Sequence, residues 1–136
     1  MPNRVSWEPD FSVGHERIDA QHQALLAQCR LLADHCDGAQ AKAAGPQFDQ
    51  AFEQLKVLAR EHFETEAQLL AACAYPGLED HLFECDEFAY LADEIATAEN
   101  FDRLELQRFL TLWFVGHITG SARQQRDCLA GGGTPG

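Results

Sequence analysis

The sequence predicts an all-α fold: an up-down-up-down antiparallel four-helix bundle with an extended N-terminal arm. Three observations support this. Apolar residues recur in alternating steps of four and three along four separate segments, the seam expected of helices packed nearly antiparallel. No stretch alternates apolar and polar residues as a half-buried strand would. The connections between segments are short enough to make consecutive helices neighbours.

The elements follow in order. "MPNRVSWEPDFSVG" carries Pro, Gly and Ser punctuation with two aromatics, so residues 1–17 read as an arm that packs Trp7 and Phe11 against the body. Ile18, His22, Leu25, Cys29, Leu32 and Cys36 form the first seam, and Gly38 ends it. Pro46 suits a first helical position, and from there Phe48, Phe52, Leu55, Ala59, His62, Glu66, Leu69 and Cys73 keep the step. "AYPG" is a tight turn. Leu78, His81, Cys85, Phe88, Ala92 and Ile95 make the third run. After a break near Asn100, Asp102 is placed to cap the fourth helix, whose seam is Leu106, Leu110, Trp113, His117 and Ser121. One domain is expected over 1–130, with 131–136, "GGTPG" and the glycine before it, as a flexible tail.

The 136 residues carry a formal charge of −12, which argues against nucleic acid and anionic membranes as partners. No charged-then-apolar leader opens the chain and no apolar run approaches the length that spans a bilayer, so the cytoplasm is the expected location. Five cysteines without a CxxC pair read as reduced thiols. Cys29 and Cys36 are about 10 Å apart along one helix, too far for a bridge. They and Cys73 read as packing residues, and Cys128 as exposed and incidental.

The seam positions that are neither apolar nor small stand out: His22, His62, Glu66, His81, Cys85 and His117. In an up-down bundle they share one level, near the connection between the second and third helices. A lone buried histidine is ordinarily a hydrogen-bonded core residue, and a lone buried cysteine a small hydrophobe. Four imidazoles, a carboxylate and a thiol in one layer are a different case. Unpaired, they would cost on the order of several kcal/mol in desolvation, whereas a cation turns the same groups into ligands. A metal site is the expectation. Asp19, one turn before His22, reads as a helix-start carboxylate, and His15 and His35 fall outside the layer.

"VGHERIDAQH" ending at His22, "HFETE" from His62 to Glu66, "YPGLEDH" ending at His81 and "WFVGHI" around His117 together resemble the bacterial hemerythrins, from about Trp7 to Gln125. The ferritin-like di-iron bundles differ, because they carry paired Glu-x-x-His motifs. The resemblance implies a non-heme di-iron centre that binds dioxygen. Glu66 would be its bridging glutamate, His22 and His62 would hold one iron, and His81 and His117 the other. It also implies a third histidine one turn after His81, where this sequence has Cys85. A bridging aspartate five residues after His117 is implied as well, where it has Ala122, with Ser121 adjacent.

Glu66 and a Cys85 thiolate would again give the metal two anionic ligands, but loss of the aspartate weakens the hold on a second ion. Two irons are implied by the resemblance, one by the altered ligands, and zinc is the alternative metal because a His/His/Cys set suits it. The leading function is a carrier, store or sensor of dioxygen or a related small molecule. The alternatives are a thiolate-ligated iron enzyme that reduces superoxide or peroxide, and a structural or regulatory zinc bundle. Phe63, Trp113 and Ile118 beside the ligands read as an apolar lining or as ordinary core.

Overall fold

A computed structural model describes residues 2–36, 45–99 and 101–130. The four long helices are α1 (Glu16–Asp34), α2 (Gly45–Ala72), α3 (Leu78–Ala96) and α4 (Arg103–Gly116). A π-helical turn, His117–Ser121, continues α4 and leads into two short helices, α5 (Ala122–Gln124) and α6 (Arg126–Ala130). Among the described residues there is no strand, and no helix is long and apolar enough to cross a membrane.

Contacts between neighbours fix the direction of each helix. Gln21 bonds Thr65 while Gln28 bonds Ala51, so α1 and α2 run antiparallel. Glu66 faces His81 while Phe63 packs on Phe88, which sets α3 against α2. Ser121 bonds Glu84 while Phe109 stacks on Phe88. His22 meets His117 while Gln107 reaches the Cys29 carbonyl, and this closes the ring between α4 and α1. The bundle has the predicted all-α architecture.

Local chemistry sets the helix ends. His15, expected only to fall outside the polar layer, caps α1 by accepting from the Ile18 N–H at 3.3 Å. Asp102 caps α4 as expected, accepting from the Leu104 N–H at 2.9 Å. At the end of α2 the Tyr75 N–H bonds the Leu70 carbonyl and the Ala74 N–H bonds that of Ala71. Ala74 sits there at φ 54°, the left-handed residue that closes such a C-terminal turn. The predicted end of the first helix at Gly38 and the tail 131–136 lie outside the described residues.

Two apolar clusters fill the bundle, one on either side of the polar layer. The larger holds Leu25, Leu32, Phe48, Leu55, Leu106, Leu110 and Phe114, all fully buried. Each such side chain contributes about 1.5–3 kcal/mol by leaving water. The smaller holds Val13, Ile18, Leu70, Ala122 and Leu129. The arm packs as expected, with Phe11 buried and Trp7 against it edge-on at 5.6 Å. Its anchor is a residue the periodicity passed over. The buried Gln107 amide accepts from the Asn3 N–H at 2.7 Å and donates to the Asn3 carbonyl at 2.6 Å. Asp19 takes bonds from Ser12 Oγ and the Val13 N–H, so it clasps the arm to α1.

The cysteines require a correction. Cys29 and Cys36 are buried thiols outside any disulfide, but Cys73 and Cys128 are joined in one. The chain does not fray after Ser121. Leu129 turns inward to fill the smaller cluster, and this brings Cys128 to a Cα–Cα distance of 5.8 Å from Cys73, well within bridging range.

Candidate metal centre

The polar layer is assembled around one carboxylate. Every long helix sends an imidazole or a carboxylate inward at the same level, and Glu66 sits at the centre with no solvent exposure. His62 lies one turn before it on α2, so their side chains share a face, and His62 Nε2 is 2.7 Å from Glu66 Oε2. His117 Nε2 is 3.0 Å and His22 Nε2 3.5 Å from that same oxygen. The four ligand atoms lie within 4.8 Å of one another. His81 faces the other oxygen, its Nε2 3.4 Å from Glu66 Oε1. Cys85, one turn on, is outermost, with Sγ 3.7 Å from His81 Nε2.

The six predicted residues therefore fall into two groups divided by the Glu66 carboxylate. His22, His62 and His117 gather on one oxygen, while His81 stands on the other with Cys85 behind it. His117, which the resemblance pairs with His81, turns its Nε2 instead to Glu66 Oε2 at 3.0 Å and to His62 Nε2 at 3.3 Å. Ala122 is buried in the smaller apolar cluster and offers no ligand atom.

Residues outside the predicted set orient these rings. Thr65 donates its hydroxyl to the Glu61 carbonyl, so its oxygen accepts from Gln21 Nε2. The Gln21 amide is thereby turned with Oε1 towards His62, 2.8 Å from Nδ1. His62 must then carry its proton on Nδ1 and present a lone pair at Nε2. A parallel chain serves His117. Ser121 Oγ donates to Glu84 Oε1 at 3.0 Å, which leaves it to accept from His117 Nδ1 at 3.1 Å. The π-helical turn makes this contact, since Ser121 lies inside it and the Ala122 N–H bonds the carbonyl of His117, five residues back. Such single π turns recur at functional sites. Gln125 Nε2 stands 3.5 Å from His81 Nδ1. Its Oε1 has no partner, and turning the amide over would let that oxygen accept from the ring instead. Glu84, Gln21 and Gln125 were missed because nothing in a helical repeat distinguishes them from polar residues that face solvent.

The arrangement leaves unmet needs that a cation fits. An Nε2 lone pair 2.7 Å from a carboxylate oxygen is repulsive unless a proton or a metal ion lies between them. Glu66 Oε1 is buried with no hydrogen-bond partner, an expensive condition. Burial pushes His22 down to about 4 against the pull of Glu66, and lowers His62 and His81 as well. Neutral imidazoles are metal ligands. Burial also opposes the charge on His117, but Glu66 and Glu84 outweigh it and raise His117 to about 9. Burial favours a neutral Glu66, but the His117 charge, with the His62 ring beside it, outweighs burial and holds the carboxyl well below its usual range. The Cys85 thiol is pushed up by burial first, then by Glu66, Glu84 and Asp86, so without a cation it stays protonated.

Comparison with known proteins agrees with this geometry. The sequence profile of the Hemerythrin HHE cation binding domain matches residues 13–123. A myohemerythrin of Theromyzon tessulatum is 22% identical over 121 residues, 89% of this chain and 90% of the relative. A hemerythrin-like protein of Naegleria gruberi is 26% identical over 129 residues, 95% and 97% of the two chains. A myohemerythrin of Riftia pachyptila is 25% identical over 120 residues, 88% and 89%. No solved structure matches significantly.

Proposed function

Because the chain belongs to the Hemerythrin HHE cation binding domain family, we propose that it is a non-heme iron protein that binds dioxygen or a related small molecule. His22, His62, Glu66 and His117 would hold iron on the Oε2 side of the carboxylate. His81 and Cys85 would supply a second, poorer position on the Oε1 side. The observation that carries this reading is the convergence of three Nε2 atoms on one carboxylate oxygen, with two of the rings fixed by hydrogen bonds at Nδ1.

Iron held by these residues would supply the electrons for binding a diatomic molecule. The chain's own contribution is to keep His22, His62 and His81 neutral by burial, to aim the rings through Gln21, Ser121 and Gln125, and to exclude bulk water. Trp113 stacks on His117 at 5.3 Å, and Phe63 packs beside it with ring centres 6.0 Å apart. Ile118 is buried in the larger core. These side chains make an apolar wall that suits an uncharged ligand.

The test is the optical spectrum of iron-loaded protein, recorded reduced, under dioxygen, and again after the gas is removed. A band that appears with dioxygen and disappears on its removal is expected. A colourless protein holding zinc would overturn the reading in favour of the structural zinc bundle. Cys85 beside His81 motivates a second reading, an iron–thiolate enzyme that reduces superoxide or peroxide. Turnover that persists in Cys85→Ser would exclude it.

A further inference from the structure

The five residues His22, His62, Glu66, His81 and His117 are sealed from solvent, each no more than 2% exposed. Cys85 alone of the predicted six is half-buried, and it lines an open groove of about 610 Å³ between α2 and α3. The groove exists because small residues stand where the helices would otherwise meet: Ala59 and Ala67 on α2, Ala89 and Ala92 on α3. Phe63 and Phe88 complete its apolar floor. Its inner end leads by contact to the centre, from Cys85 Sγ to His81 Nε2 at 3.7 Å and from His81 Nε2 to Glu66 Oε1 at 3.4 Å. That oxygen is buried and has no hydrogen-bond partner.

We propose that the α2–α3 groove is the entrance by which small uncharged molecules reach the polar layer, with Cys85 at its inner mouth. The inference rests on the functional reading above. The apolar floor gives an ion no compensation for lost hydration. Antiparallel pairing sets Glu64 and Asp86 on the rim at the Cys85 level, so anions meet like charge there as well as in the chain's −12. The cations of the lining, Lys56 and Arg60, lie on α2 towards the other end, away from Cys85, with Lys56 paired to Glu53 at 2.9 Å and Asp93 of α3 lining the same groove. The entrance therefore selects dioxygen, nitric oxide or hydrogen peroxide over superoxide or azide.

The experiment plugs the groove with Ala89→Phe, at an exposed position, and separately with Ala67→Leu, both checked for native helicity. In the metal-free protein Cys85, whose thiol is largely protonated, is alkylated over long incubation at mildly alkaline pH with iodoacetamide or with the anionic iodoacetate, and relative rates at each site are read by mass spectrometry. In the iron-loaded protein the association rate of nitric oxide is measured. Iodoacetamide should label Cys85 in preference to iodoacetate by more than it does free cysteine. Each plug should slow both iodoacetamide labelling and nitric oxide association about tenfold, which corresponds to about 1.4 kcal/mol of added barrier. Unchanged nitric oxide rates in both folded, iron-loaded variants would overturn the entrance and leave the functional reading standing. A chain that takes up no iron would overturn the functional reading, and the labelling rates alone would then decide the entrance: slowed by the plugs in support, unchanged against it.

Discussion

Gln21 Oε1 and His62 Nδ1 lie 2.8 Å apart, at the end of a chain in which Glu61 accepts from Thr65 and Thr65 from Gln21. Every donor in the chain is assigned, so the ring's tautomer is assigned too, and Nε2 is left for a cation. Gln21→Ala removes the acceptor without touching a ligand. Loss of such an orienting partner typically weakens metal binding about 10–100-fold. A chelator-competition titration should show that loss at unchanged helicity, and equal affinity would mean that the bond does not orient the ring.

The Glu84–Ser121–His117 chain makes a parallel prediction from α3. Glu84 is held below the usual carboxylate range, first by its hydrogen bond with His117. Glu84→Gln keeps the shape but removes the charge that supports the ring. Metal affinity should fall, and the pH at which His117 loses its proton in the metal-free protein should fall with it, as read from its imidazole resonances. An unmoved titration would show that Glu66 alone sets the His117 charge.

Stability of the metal-free protein should be greatest near pH 6.5 and decline on both sides. His22 is depressed from 6.5 to about 4, so its contribution is complete above pH 6.5 and lost as pH falls towards 4. His62, His81 and Glu66, all lowered, act in the same direction on the acid side. His117 is raised from 6.5 to about 9, so its contribution is complete below pH 6.5 and lost as pH rises to 9. Urea midpoints across this range provide the measurement, and a flat profile would contradict the buried cluster.

The bundle and its polar layer were legible because both are periodic. A ligand in a helix seam interrupts a run of Leu, Phe and Ala at a fixed step, and six such interruptions at one level are visible without coordinates. What was hidden is aperiodic. The π-helical turn adds a residue inside a helix whose sequence, His117 to Ser121, has no breaker except Gly120. α6 is too short to show a repeat, and one buried leucine, Leu129, holds it. Gln107 looks like any polar helix residue until the arm reaches it. The groove also escaped notice, since alanines read as seam and as gap alike.

The Cys73–Cys128 disulfide closes a loop of 55 residues, which in the chain-entropy account stabilises by about 4 kcal/mol. Denatured but unreduced protein should show three reactive thiols, those of Cys29, Cys36 and Cys85, and five after reduction. Reduction and Cys128→Ser should lower the urea midpoint by similar amounts. Five thiols before reduction would contradict the bridge.

The most direct test of the metal centre is elemental analysis of protein from iron-supplemented cells, for the wild type beside Glu66→Ala. The account predicts iron bound stoichiometrically in the wild type and nearly absent from a folded Glu66→Ala, because all four imidazoles converge on that carboxylate. A folded wild type without metal, or equal iron in both proteins, would contradict it.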